Sequence, residues 1–348
     1  MYFRWIKANA VQDNLEEKIK KLQEKYESMG QDINAYLDGL LLSNYLTYWD
    51  YVHLDTLLTL QHPKTDYPDE KIFIVYHQIT ELYFNLSLHE LEQIAKNGKR
   101  IGDNGHDEGW NHKLNVDFLK ERLRRVNSYF EALTKSFEIM VQGMKKDQFL
   151  RFRMALLPAS GFQSAQYRMI EIASTDMDRL VDKEHRVPAG DKDERSIEAQ
   201  FEHIYWKQGA TELETGKKTL TLEQFETKYS ARLIIMAKDY ASCNVWQKYL
   251  SLTDAEQKDP ELIKQLRQLD VNVNINWPLQ HYRSAVRYLV AKEGDAPATG
   301  GTNWQKYLPP RLQLRVFYPT LWSEEELANW GRGWIEEVLA QSIKMKGE

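Results

Sequence analysis

Cysteine is almost missing from this chain: 348 residues hold one, Cys243. No disulfide can form within the chain, and a reducing compartment is expected. No stretch of eighteen apolar residues occurs, and MYFRWIKANA does not have the charged-then-apolar order of a leader peptide. No proline- or glycine-rich linker interrupts the sequence, so the expectation is one domain, residues 1–348, with a substantial core. Charge is nearly balanced, 46 basic against 51 acidic residues for a net −5, which gives no general drive toward nucleic acid or an anionic membrane. These absences lead to the expectation of a soluble cytoplasmic protein with neither kind of partner.

Helical periodicity and aromatic side chains are abundant. Ten tryptophans, nineteen tyrosines and twelve phenylalanines are enough for both core packing and the walls of a flat pocket. DNLEEKIKKLQEKYESMG pairs charges at i, i+4 and stops at Gly30, as an exposed helix does, so residues 1–43 read as a peripheral helical region. Further helical patterns run from about Asp32 to Gln61, Asp69 to Asn97, Leu114 to Met144, Gln163 to Leu180, Leu222 to Leu250, Trp277 to Lys292 and Ser323 to Met345. The polar stretch around VDKEHRVPAGDKDERS makes 181–215 a surface insertion with one smaller helix near Ile197 to Lys207, remote from any chemistry. No segment alternates as a strand does, and the predicted fold class is all-α.

The segment Phe149 to Arg168, FLRFRMALLPASGFQSAQYR, sets an arginine in an apolar stripe and then a small-residue turn. Phe149, Phe152, Arg153 and Leu156 fall at i, i+3, i+4 and i+7, which puts Arg153 on the buried face and Arg151 away from it. A buried guanidinium needs a carboxylate, and its planar fork suits one bidentately. That carboxylate belongs either to a side chain elsewhere in the fold or to a ligand.

Two of the nine histidines lie in unusual contexts. His77 falls within the stripe Phe73, His77, Thr80, Phe84, Leu88 and Leu91. His281 shares a stripe with Trp277, Ala285 and Tyr288. Asn276 looks like an N-cap there and Pro278 like a first-turn residue, so His281 is expected near a helix N-terminus, where the dipole keeps imidazole neutral. A single histidine on an apolar face is more often a core residue than a ligand. Zinc and di-iron sites lack their usual patterns, since there is no HExxH helix, cysteine cluster or paired ExxH motif. His77 and Glu81 stand one turn apart, a weak ligand pattern. A haem needs only one axial imidazole, and without CxxCH it would be held noncovalently.

The PASGFQS turn behind its FR pair resembles the tryptophan 2,3-dioxygenase family. Three more blocks recur in family order: NYLTYWDYVHLDTLLTLQ (Asn44 to Gln61), DEKIFIVYHQITELYFNLSLHEL (Asp69 to Leu91), and WPLQHYRSAVR with ATGG downstream (Trp277 to Gly301). The chain departs from commoner family forms at ELYFN and ATGGTNW. The resemblance implies a homotetramer of helical subunits holding haem b, with His281 as proximal iron ligand beside Trp277 and His77 on the distal side. It implies that Arg153 binds the carboxylate of L-tryptophan, that Thr299 contacts its amino acid head group, and that Phe73, Phe149, Leu156 and Ser160 line the pocket. Tyr48 and Tyr51 match residues that reach a neighbouring subunit's pocket. The implied reaction uses ferrous haem and dioxygen to convert L-tryptophan to N-formyl-L-kynurenine, the first step of the kynurenine route. The alternatives are a related haem oxygenase or hydroxylase for another indole or aromatic amino acid, and a noncatalytic haem or aromatic amino-acid binding protein.

Overall fold

Apolar residues three and four apart build the longest helix that borders the candidate site. In the computed structural model, which describes residues 2–44, 46–187, 193–211, 217–290 and 308–332, with side chains from residue 14 onward, this is α5, Asp69–Ala95. Its acidic first turn, Asp69 and Glu70, complements the helix dipole. Tyr76, Thr80, Phe84, Ser87, Leu91 and Ile94 form its buried stripe. Asn97 and Gly98 follow at φ 57° and 83°. Gly98 lets the chain turn there without a Cβ penalty, and its N–H returns to the Gln93 carbonyl at 2.8 Å.

The described chain divides into two compact units, residues 1–61 and 62–348, where the sequence leads one to expect a single domain. The first unit contains α1 (Tyr2–Ser28), α2 (Ile33–Leu42), α3 (Tyr48–Tyr51) and α4 (Leu54–Leu57). Gly30 closes α1 at φ 67°. The helical region expected from about Asp32 to Gln61 consists of three short helices, and Ile33 is the only buried residue among the described side chains of this unit. With so little core among the described side chains, no packing joins α2, α3 and α4 into one helix.

In the second unit α5 packs against α6 (Val116–Ser136) and α9 (Ala165–Ser174), and α6 packs against α15 (Pro260–Val271). Between them in the chain lie α7 (Glu138–Gln142), α8 (Lys146–Phe152), α10 (Ile197–Glu202), α11 (Tyr205–Gln208), α12 (Leu220–Tyr240), α13 (Val245–Leu250) and α14 (Asp254–Gln257). α16 (Trp277–Leu289) follows α15. Isolated bridges, not strands, are the only β pairing among the described residues, and the fold is all-α. No helix is long and apolar enough to cross a membrane among the described residues.

Two expectations need correction. The described part of 181–215 is not merely surface, because Val181, Phe201, Ile204, Tyr205 and Trp206 are buried. Polar neighbours hide these side chains from a compositional reading. Asn276 is no N-cap either: its φ/ψ of −61°/−48° is helical and its side chain caps nothing. α15 continues through a π turn, Asn272–Asn276, directly into α16. Trp277 N–H bonds the Asn272 carbonyl five residues back. Such a turn accommodates Pro278, which lacks an N–H and would crowd an ordinary α-helix. The helix expected from Ser323 to Met345 is described only as Glu324–Ala328, and residues beyond 332 lie outside the described part.

Candidate active site

One cavity of about 320 Å³ in the second unit is bordered by side chains from α5, α8, the 159–164 turn, α9, α11 and α16, and from the 308–315 segment. Eight of the residues singled out from sequence meet there: Phe73, His77, Phe149, Arg153, Leu156, Ser160, Trp277 and His281. Tyr48 and Tyr51 lie on α3 of the first unit and are exposed. Thr299 lies outside the described residues.

Both histidines have the same local arrangement. His77 Nδ1 is 2.7 Å from the Phe73 carbonyl oxygen, and His281 Nδ1 is 3.1 Å from that of Trp277. A carbonyl can only accept, so Nδ1 carries the proton in each ring and Nε2 carries the lone pair. Each histidine thus binds a carbonyl of its own helix four residues back and presents the other nitrogen as acceptor or metal ligand. Burial lowers the pKa of both, His281 to about 4. The neutral His281 expected from the sequence therefore has a different cause: desolvation, in the absence of a helix N-terminus.

Aromatic rings fix the imidazoles. Phe73 lies 4.1 Å from the His77 ring, and Trp277 and Phe137 lie 4.7 and 4.8 Å from His281. Trp277 in turn meets Phe84 and Phe137 edge-on at 5.5 and 5.2 Å. Phe149 packs 4.5 Å from Tyr288 and completes another part of the wall.

Arg153 is 7% exposed and begins a 3₁₀ turn, Arg153–Leu156, just past the end of α8. Phe152 is fully buried and Arg151 exposed, as the helical spacing requires. Burial lowers the Arg153 pKa from its ordinary value. In the small-residue turn, Ser160 Oγ accepts from Phe162 N–H at 3.3 Å while its own N–H donates to Gln163 Oε1 at 3.3 Å. The next residue, Gly161, approaches His77: a Cβ there would stand 3.9 Å from Nε2. The turn therefore brings backbone close to the His77 side of the cavity.

The family profile described as Tryptophan 2,3-dioxygenase matches residues 41–250, more than half of the chain. The chain belongs to the tryptophan 2,3-dioxygenase family. A curated tryptophan 2,3-dioxygenase from Ruegeria sp. is 30% identical over 282 residues, 80% of this chain and 91% of the relative. Similar proteins of the same name from Nocardioides sp. and Bradyrhizobium diazoefficiens are 30% and 27% identical, each across 80% of this chain and 92% of the relative.

Against this tryptophan 2,3-dioxygenase background, the structure adds residues that sequence reasoning missed. Arg168, Tyr167, Tyr205 and Arg315 border the cavity, and Glu171 lies behind them, fully buried. Arg168 closes the FQSAQYR block, so a second arginine flanked by apolar residues was visible. Nothing in the sequence linked it to Arg315 or to Tyr205 in the supposed surface insertion.

Proposed function

We propose that this chain is a haem-dependent tryptophan 2,3-dioxygenase, inserting both atoms of dioxygen across the indole C2–C3 bond of L-tryptophan to give N-formyl-L-kynurenine. The observation that carries the reading is the convergence of His77, His281 and Arg153 on one cavity rich in aromatic side chains. His281 would hold the haem iron, since its Nδ1 hydrogen bond leaves Nε2 as the basic nitrogen and burial keeps the ring neutral. Trp277, whose ring lies 4.7 Å from that imidazole, would help hold it in place. Ferrous haem, when bound, supplies the redox chemistry with dioxygen.

The protein's own contribution is binding and orientation. Arg153 pairs with the substrate carboxylate, for which a buried guanidinium fork is well suited. Phe73, Phe149 and Leu156 hold the indole ring and exclude water, and Ser160 lies at the polar end of this wall. His77 Nε2, with Nδ1 bonded to the Phe73 carbonyl, is the acceptor for the indole N–H. Its lowered pKa makes it a poor general base, so its role is positioning. Thr299 is assigned to the amino acid head group. The assembly we propose is a cytoplasmic homotetramer in which the exposed Tyr48 and Tyr51 serve a neighbouring subunit's pocket.

The test is to mix haem-loaded, reduced protein aerobically with L-tryptophan and follow the product absorbance. Formation of N-formylkynurenine is expected. A normal haem spectrum with no product would overturn tryptophan dioxygenation and favour another aromatic substrate or a binding role. Failure to take up haem would overturn the assignment of His281.

A further inference from the structure

In the wall of the cavity two buried guanidinium groups share one buried carboxylate. Arg168 and Arg315 are 8% and 4% exposed, and both bond to Glu171, which is 0% exposed. Tyr205 OH donates to Glu171 Oε1 at 2.5 Å and accepts from Arg168 Nη1 at 2.6 Å and Arg315 Nη1 at 2.5 Å. Burial raises the pKa values of Tyr205 and Tyr167, so both remain neutral phenols. Two guanidinium ions against one carboxylate leave one positive charge in excess. Arg186 also acts electrostatically on Arg315 and has the same sign, but it has carboxylates of its own in Asp182 and Asp178, so the excess is counted within the hydrogen-bonded cluster alone.

The donors are also incompletely used. Arg168 makes both of its hydrogen bonds through Nη1, and the buried Nε atoms of Arg168 and Arg315 have no partner among the described residues. Four rings, those of Phe162, Tyr167, Tyr205 and Trp206, surround the Arg168 guanidinium at 5.2–5.6 Å. Aromatic faces favour a cation but supply no counter-charge. An uncompensated buried charge is costly, and a carboxylate matches a guanidinium in both sign and geometry.

We propose that Arg168 and Arg315 form a second carboxylate subsite of this cavity and that its ligand is a propionate of the porphyrin. The inference rests on the haem reading above, because Arg168 and Arg315 border the same cavity as His77 and His281. Arg153 is then left for the substrate. Glu171 and Tyr205 act as positioning residues, holding both guanidinium groups through one shared hydrogen-bond network.

The experiment titrates the full apo-chain with haemin and, separately, with haemin dimethyl ester, whose propionates are capped, following the Soret band. Wild type should bind haemin about 10- to 100-fold more tightly than the ester, the value of one or two charge-assisted hydrogen bonds. Arg168→Gln and Arg315→Gln should reduce that ratio to within about threefold of unity while leaving ester affinity unchanged, which also reports an intact cavity. If either variant fails to fold by circular dichroism, Arg168→Lys retains the charge without the fork, and a smaller ratio is again expected. An unchanged ratio in folded variants, or no preference in wild type, would refute the subsite. An unchanged ratio with L-tryptophan weakened relative to tryptamine would instead place the substrate carboxylate there and overturn the propionate assignment. No uptake of either porphyrin by wild type overturns the haem reading itself and the proposal with it.

Discussion

Replacing Glu171 by glutamine should destabilise the second unit severely. The carboxylate is 0% exposed and receives hydrogen bonds from Arg168, Arg315 and Tyr205. Glutamine keeps the volume but removes the carboxylate that both arginines bond, the only one in this network among the described residues, leaving two guanidinium ions buried side by side. Removing one member of a buried ion pair costs about 3–5 kcal/mol, and a chain of this size loses about 2 °C of Tm for each kcal/mol. The expected loss is therefore about 6–10 °C in thermal unfolding followed by far-UV circular dichroism. Glu171→Gln combined with Arg315→Met should recover part of it, because the pair of changes restores the original net charge. A single-variant shift below about 2 °C, or a double variant no more stable than the single one, would refute the electrostatic account.

Other perturbations separate the roles around the cavity. Arg153→Met should weaken L-tryptophan by about 2–5 kcal/mol, at least thirtyfold, while haem content and tryptamine affinity stay near wild type; equal losses for both ligands would contradict carboxylate recognition. His281→Ala should abolish the haem spectrum whereas His77→Ala retains it, and the reverse pattern would exchange their assignments. Asp270 accepts from the Phe317 and Tyr318 backbone N–H groups, from Trp322 Nε1 and from Asn274, and burial pushes its pKa up to about 6. A folded-state pKa above the unfolded value means that this group's contribution favours folding at low pH and is lost as pH rises from about 4 through 6. Denaturant titrations of wild type and Asp270→Asn should differ in pH dependence over that window, and parallel curves would sink the argument.

Much of the site could be read directly from side-chain spacing. The stripe through Phe73, His77, Thr80 and Phe84 had the right residues on one side of α5, though the most buried line is shifted to Tyr76, Thr80, Phe84 and Ser87, and His77 flanks it at the cavity. Spacing cannot resolve that difference, since a hundred-degree step places both lines within one broad apolar face. The burial of Arg153 beside Phe152 was legible for the same reason, although its turn is 3₁₀ and not α. Fragmentation of residues 32–61 was not legible, because local periodicity says nothing about whether a core exists to sustain it.

The chain's own order of residues determined an all-α fold, the helix stop at Gly30 and the apolar company of His77, Arg153 and His281, because all of these depend on neighbours within a few turns. Tertiary structure alone decided the π turn before Trp277. There, Asn272 donates to Asn127 at 3.2 Å, and Asp270 binds the backbone of Phe317 and Tyr318, contacts spanning many tens of residues. It also decided the meeting of Arg168, Glu171, Tyr205 and Arg315. Only folding removes those charges from water together, and only then does their imbalance acquire a chemical consequence.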